Sequence, residues 1–179
     1  MRVFLAIDFP ENVKAKLFHE IETLSNKNLF TGNITSKGNF HLTLKFFGNV
    51  SESDILDIKK KLSLLNFKPF KGEAKNSGFF GDGSHIKVIW ADFLSNELTN
   101  IYLEVEKMFP EFPSNIKKFS SHITLARVNS VKNKEELIEK IKKLNFRNLS
   151  FEVNEIVLMK SELMRDGPKY KVLEKFKLK

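Results

Sequence analysis

His41 and His122 each open the same four-residue pattern, HLTL at 41–44 and HITL at 122–125. On an extended strand side chains alternate between faces, so each His shares a face with the Thr two places on, roughly 7 Å away. Leu42, Leu44, Ile123 and Leu125 then point to the other face and anchor the strand. With six Thr in 179 residues, a given His has about a 3% chance of Thr two places on and roughly a 12% chance of Leu after it. Both features at two of four His are expected with a probability on the order of 10⁻⁴. A single pattern would mean little, because a lone strand His is usually a solvated or hydrogen-bonded structural residue. The doubling is the signal.

Two imidazoles that titrate near neutrality on one cleft suit paired proton transfer: one takes a proton from a nucleophile, the other supplies one to a leaving group. Each such group contributes about 10² to 10⁴ in rate, and Thr hydroxyls can bond non-bridging phosphate oxygens as charge redistributes. Phosphodiester cleavage without a metal needs that pair, so neither metal nor cofactor is expected. A catalytic zinc usually has three protein ligands, and neither HExxH nor an acidic cluster accompanies the two His. A GxSxG nucleophile elbow is missing. Cys is absent, which excludes a thiol nucleophile, Cys-ligated zinc and disulfides. The remaining histidines are read as exposed and without a catalytic role: His19 falls opposite the apolar stripe of a helix, and His85 follows a tight turn.

The elements that must position the pair are legible from periodicity. Residues 2–8 read as a buried strand, and Pro10 and Glu11 open a helix with Val13, Leu17, Ile21 and Leu24 at helical spacing. A strand over 39–49 and a helix over 52–65, with Ile55, Ile58, Leu62 and Leu65 on one stripe, complete a βαβα order. Then come a strand over 70–80, a GDGS turn at 81–84, its hairpin partner over 86–93, and a helix over 96–109 closed by Pro110. A strand over 121–128, a helix over 134–144, and strands over 151–160 and 170–178 separated by a DGP turn end the chain. HLTLKF at 41–46 and HITLAR at 122–127 are 81 positions apart, each on a strand before a Lys- and Glu-rich helix. The expectation is a duplicated, bilobal α+β fold: two antiparallel-rich sheets face a central cleft, with helices outside. No linker or low-complexity tract intervenes, so residues 1–179 are read as one domain.

Length and composition agree with one folded unit: 41% hydrophobic residues and 18 Phe supply a core and exclude general disorder. The apolar start before Asp8 is too short for a signal-peptide core and no stretch reaches spanning length, so a cytoplasmic protein without a membrane partner is expected. A monomer is expected. The net charge of +8 favours anionic partners without identifying them, since Lys-rich composition alone can produce it.

Beyond these patterns, RVFLAID at 2–8, HLTLKFFG at 41–48, KVIWADF at 87–93, SHITLAR at 121–127 and VLMKSELMRDGPKY at 157–170 stand in an order and spacing that resemble the two-histidine phosphoesterase superfamily. Within it, the chain is similar to the LigT-like RNA 2′,3′-cyclic phosphodiesterases, once named for 2′-5′ RNA ligase activity. The resemblance implies hydrolysis of a terminal 2′,3′-cyclic phosphate to a 2′-phosphomonoester, with His41 as proton donor and His122 as proton acceptor. Carried over position by position, it implies phosphate binding by Thr43 and Thr124, charge from Arg127 near the phosphate, and a nucleotide contact from Phe46. Phe46 and Arg127 each follow their His by five places, an odd offset that a regular strand would turn away from the site; a bulge or the strand end must re-aim them. ITSKGNF at 34–40 departs from a family that often carries Trp before the first motif, so the resemblance does not fix the shape of the nucleotide pocket or its base preference.

Two further classes of reading stay open from sequence. A non-catalytic RNA-binding module could use the basic balance and surface aromatics, but no RNP-like sequence is present and the paired HxTL strands would be idle. The same site could act on a small cyclic nucleotide, or join RNA ends by the reverse proton transfers.

Overall fold

The computed structural model describes residues 1–82, 85–113, 119–164 and 167–179. β1 (Arg2–Asp8) carries a run buried from Val3 to Ile7. α1 (Glu11–Ser25) follows Pro10 and buries Val13, Leu17, Ile21 and Leu24. After β2 (Phe30–Ile34) and β3 (His41–Asn49), α2 (Glu52–Leu62) starts at a capping box: Asp54 N donates to Ser51 Oγ and Ser51 N to Asp54 Oδ2. These bonds satisfy donors the first helical turn leaves free. Next come β4 (Phe70–Ala74), β5 (Ser77–Gly81), β6 (Ile86–Asp92) and α3 (Leu98–Met108). β7 (His122–Val131), α4 (Lys134–Lys142), β8 (Leu149–Val153), β9 (Glu155–Met164) and β10 (Gly167–Lys177) complete the order.

Leaving out β2 and β10, the succession βαβαββ occurs twice, β1 to β5 and β6 to β9. The copies are interlocked. β5, the end of the first, pairs with β6, which opens the second, while β9 returns to pair with β1. The pairings are antiparallel and give one eight-stranded sheet, β10-β9-β1-β3-β7-β6-β5 with β2 also on β7. The expected α+β class with antiparallel-rich sheets is therefore present, and the two motif-bearing strands, β3 and β7, meet at a single residue pair, Leu42 with Ile123. Both side chains are fully buried, and burying a side chain of that size contributes about 1.5–3 kcal/mol. A close approach holds β2 to the other end of β7: a Cβ on Gly32 would lie 2.1 Å from Arg127 O.

Two strands expected as continuous are each divided. Residues 70–80 form β4 and β5, and 151–160 are divided between β8 and β9; the detached pieces β4 and β8 pair as a separate two-stranded sheet. The first break is held by the Asp92 carboxylate, whose Oδ1 accepts from Lys75 N at 2.7 Å and Asn76 N at 2.9 Å. β2 was not foreseen, and the βαβα opening becomes βαββα. The GDGS turn at 81–84 and the DGP turn at 166–168 lie partly outside the described residues. His19 and His85 are exposed, as expected. Among the described residues no helix is long and apolar enough to cross a membrane.

Candidate active site

His41 and His122 are the first residues of β3 and β7, and each immediately precedes the residue at which those strands touch. Continuing that antiparallel register one residue either way sets His41 across from Thr124 and Thr43 across from His122. The two His are then diagonal neighbours, with Cα atoms roughly 7–8 Å apart. Because Leu42 and Ile123 point into the core, all four flanking side chains emerge on the opposite face. They line one cleft of about 1190 Å³, together with Phe46 and Arg127.

The odd offset of Phe46 and Arg127 is resolved by the backbone. Across β1 and β3, Ala6 pairs with Thr43 and Leu5 with Lys45, leaving Leu44 as an extra residue. Across β6 and β7, Trp90 pairs with Thr124 and Ile89 with Ala126, leaving Leu125 extra at the equivalent place. Each bulge puts two consecutive residues in the core, 44–45 and 125–126, and returns the next to the cleft face. Phe46 is 56% exposed there. Lys45 turns inward instead, and its Nζ lies 2.8 Å from Glu106.

Backbone carbonyls fix both imidazoles. His41 Nδ1–H donates to Asn39 O at 2.7 Å and His122 Nδ1–H to Ser120 O at 2.8 Å. In the neutral ring this leaves the lone pair on Nε2, which in both cases is the nitrogen available for chemistry. The Thr43 hydroxyl lies 3.1 Å from His41 Nε2 and can donate to it. Although the register places Asp8 beside His41 and Asp92 beside His122, neither carboxylate orients its imidazole. Asp8 Oδ1 accepts from Phe9 N and lies 2.7 Å from the buried Lys14 ammonium, while Asp92 holds the turn at 75–76.

Burial holds the pKa of each imidazole below its ordinary 6.5. At His41 this outweighs the carbonyl of Asn39 and the charge of Asp8, which favour the cation, and His122 and Lys14 push in the same direction as burial. At His122 the Ser120 carbonyl opposes burial and the Arg127 charge reinforces it. The rings differ in company. His41 meets Phe4 at 4.9 Å and, perpendicular to it, the ring of Tyr170 at 5.0 Å, and His122 meets Phe80 at 4.8 Å. Tyr170, Phe80 and the two carbonyl residues were missed as parts of the site. Tyr170 lies within a quoted motif, but a backbone carbonyl carries no signal in residue type. Among the described residues no three His, Asp or Glu side chains gather as metal ligands.

The family described as LigT like Phosphoesterase matches residues 7–90 and 94–170. An RNA 2′,3′-cyclic phosphodiesterase of Methanocaldococcus jannaschii is 34% identical over 181 residues, covering 98% of this chain and 100% of the relative. One of the same description from Thermotoga maritima is 33% identical over 178 residues, covering 97% and 93%. A crystal structure of a protein from Thermus thermophilus superposes with a TM-score of 0.83 at 28% identity, covering 99% of this chain and 98% of that one.

Proposed function

Because this chain belongs to the LigT-like phosphoesterase family, we propose that it is an RNA 2′,3′-cyclic phosphodiesterase whose two histidines carry out acid–base hydrolysis without a metal. The observation that supports this most is the pair of tethered imidazoles presenting Nε2 on one face. Neutral His122 takes a proton from water through Nε2, and the water oxygen attacks phosphorus. Cationic His41 gives its Nε2 proton to the departing ribose oxygen on the far side, roughly in line with attack. The anionic phosphate favours that cation, offsetting part of the burial that opposes it. Thr43 and Thr124 bond the non-bridging oxygens, Arg127 adds positive charge, and Phe46 offers an open ring face to the terminal nucleotide. Both imidazoles come from one chain, so a monomer carries the whole site, and residues 1–179 act as one bilobal catalytic domain.

The family resemblance supports O3′ as the leaving oxygen, so the expected product of a cyclic-phosphate-ended oligoribonucleotide is a 2′-phosphate with a free 3′-hydroxyl. Phosphorus NMR, or resistance of the product to a 3′-phosphate-specific phosphatase, checks this. Predominant 3′-phosphate would mean that the substrate lies the other way round, and no hydrolysis would remove the proposal.

A further inference from the structure

The proton-transfer scheme uses Nε2 of both histidines but not the asymmetry of their surroundings. β9 and β10 form a long hairpin, pairing Gly167 with Met164 at its described end, and that end stands beside His41. Asn39 links the two. Its Nδ2 donates to Pro168 O at 2.6 Å, while its own carbonyl accepts the His41 Nδ1 proton. Two residues beyond Pro168, the Tyr170 ring packs perpendicular to His41, with an interplanar angle of 87°, and against Phe4 with centroids 5.0 Å apart. The His41 imidazole is thus held at Nδ1 and walled by two aromatic rings. At His122 the corresponding contacts are one carbonyl and the Phe80 ring.

We propose that the β9–β10 hairpin, which also lines the cleft, is a positioning element for His41 rather than His122, with Tyr170 as the wall that keeps the ring from turning and water from reaching it, and Asn39 as the tie between hairpin and imidazole. The inference rests on the reading of His41 as proton donor. A donor must aim one N–H at a leaving oxygen, and a misaimed proton loses rate even when substrate still binds. Tyr170 contributes through its ring. The terminal torsion of histidine is broad, and beyond its Nδ1 bond to Asn39 O the His41 ring is confined by Phe4 on β1 and Tyr170 on β10. Besides the neutral Tyr170 phenol, the groups whose charge acts on it are Asp8 of β1, Lys14 of α1 and His122 of β7. None belongs to the hairpin, so loss of the Tyr170 ring removes burial and leaves those charges in place.

Tyr170→Ala, Tyr170→Phe and Asn39→Ala test this with steady-state kinetics on a cyclic-phosphate-ended oligoribonucleotide and NMR titration of both imidazoles. Tyr170→Ala is expected to lower kcat about tenfold with KM nearly unchanged, and to move the His41 midpoint up toward its ordinary value while that of His122 stays. Tyr170→Phe should restore both, and Asn39→Ala, at a position whose change keeps the carbonyl, should lower kcat by less. Wild-type kcat with an unmoved His41 titration in Tyr170→Ala overturns the proposal. So does a raised KM shared by Ala and Phe variants, which would make the hydroxyl a substrate contact. If Tyr170→Ala does not fold, Asn39→Ala alone decides, through kcat. The titration needs no turnover, so an inactive unaltered protein would remove the functional reading while the His41 midpoint still reports on the hairpin.

Discussion

The strand carrying His41 and the strand carrying His122 share a backbone design and differ in almost every side chain beyond it. Both present His, Thr and a bulged Leu in the same places, and both hold Nδ1 with the carbonyl two residues before the His. After the bulge one offers Phe46 and the other Arg127. Across from the His, one has an Asp paired with a buried Lys, the other an Asp holding a turn. The two strands repeat a geometry and differ in the side chains set on it. In the proposed reaction the symmetric backbone would set a proton-transfer group on either side of phosphorus, and the unlike surroundings would decide which side receives the nucleotide and which the phosphate charge.

The harshest way to break that comparison is to delete the element the halves share. His41→Ala and His122→Ala should each lower kcat by at least about 10², because each removes one proton transfer. The fold should survive in both, since the rings line a cleft and the neighbouring Leu42 and Ile123 carry the packing. Circular dichroism and turnover on the same preparations check this. A well-folded variant with near-normal turnover would show that one half is scaffold only.

A finer separation comes from the positions where the halves differ. Arg127→Ala should reduce kcat/KM by roughly 10- to 100-fold, in line with about 1.5–3 kcal/mol for hydrogen bonds to a charged group. It should also let the His122 pKa rise, since the Arg127 charge is one of the causes holding it down. Phe46→Ala should cost less and act differently: stacking of one base is worth about 1–3 kcal/mol, and a ring 56% exposed sits at the low end. Its loss should appear in KM and vary with the terminal base. Kinetics on four oligonucleotides differing only in that base distinguish the two cases. Equal responses to both substitutions would mean that the two bulges serve the same function.

How much of this was legible in the sequence follows from whether the cause is local. The duplication, the four helices and the strands bearing the motifs are written in local periodicity and in the 81-residue offset, and helix ends shifted by only a few residues. The odd spacing of Phe46 and Arg127 called for a bulge or a strand end, and the structure has a bulge after each Thr. The breaks after Ala74 and Val153 were not legible, because the first depends on a carboxylate 17 residues away and the second on a single residue, Asn154, whose carbonyl accepts from Leu178 N. β2 was missed for the same reason. FTGNI shows no alternation and is mostly exposed, and it is a strand because β7 offers it an edge. In the site, residue types announced the histidines and threonines, whereas the groups that hold the imidazoles are main-chain carbonyls and, for His41, a hairpin from the far end of the chain.

The smallest expected effect sharpens the comparison through stability. Both imidazoles have folded-state pKa values below 6.5, so around that pH the unfolded chain binds more protons than the folded one. Unfolding free energy then rises with pH through this window. The contribution is complete above about 6.5, the unfolded value, and is lost as pH falls from there toward the folded values. His41 and His122 contribute with the same sign, but His41 is enclosed by Phe4 and Tyr170 while His122 is the more open to solvent. Replacing His41 by Asn should therefore flatten the acid-side fall in stability more than replacing His122 by Asn. Urea unfolding midpoints between pH 5 and pH 8 for the two variants and the unaltered protein check the order. If His122→Asn flattens the curve more, then water reaches His41 in solution, and the tighter packing around the first histidine is not what depresses its proton affinity.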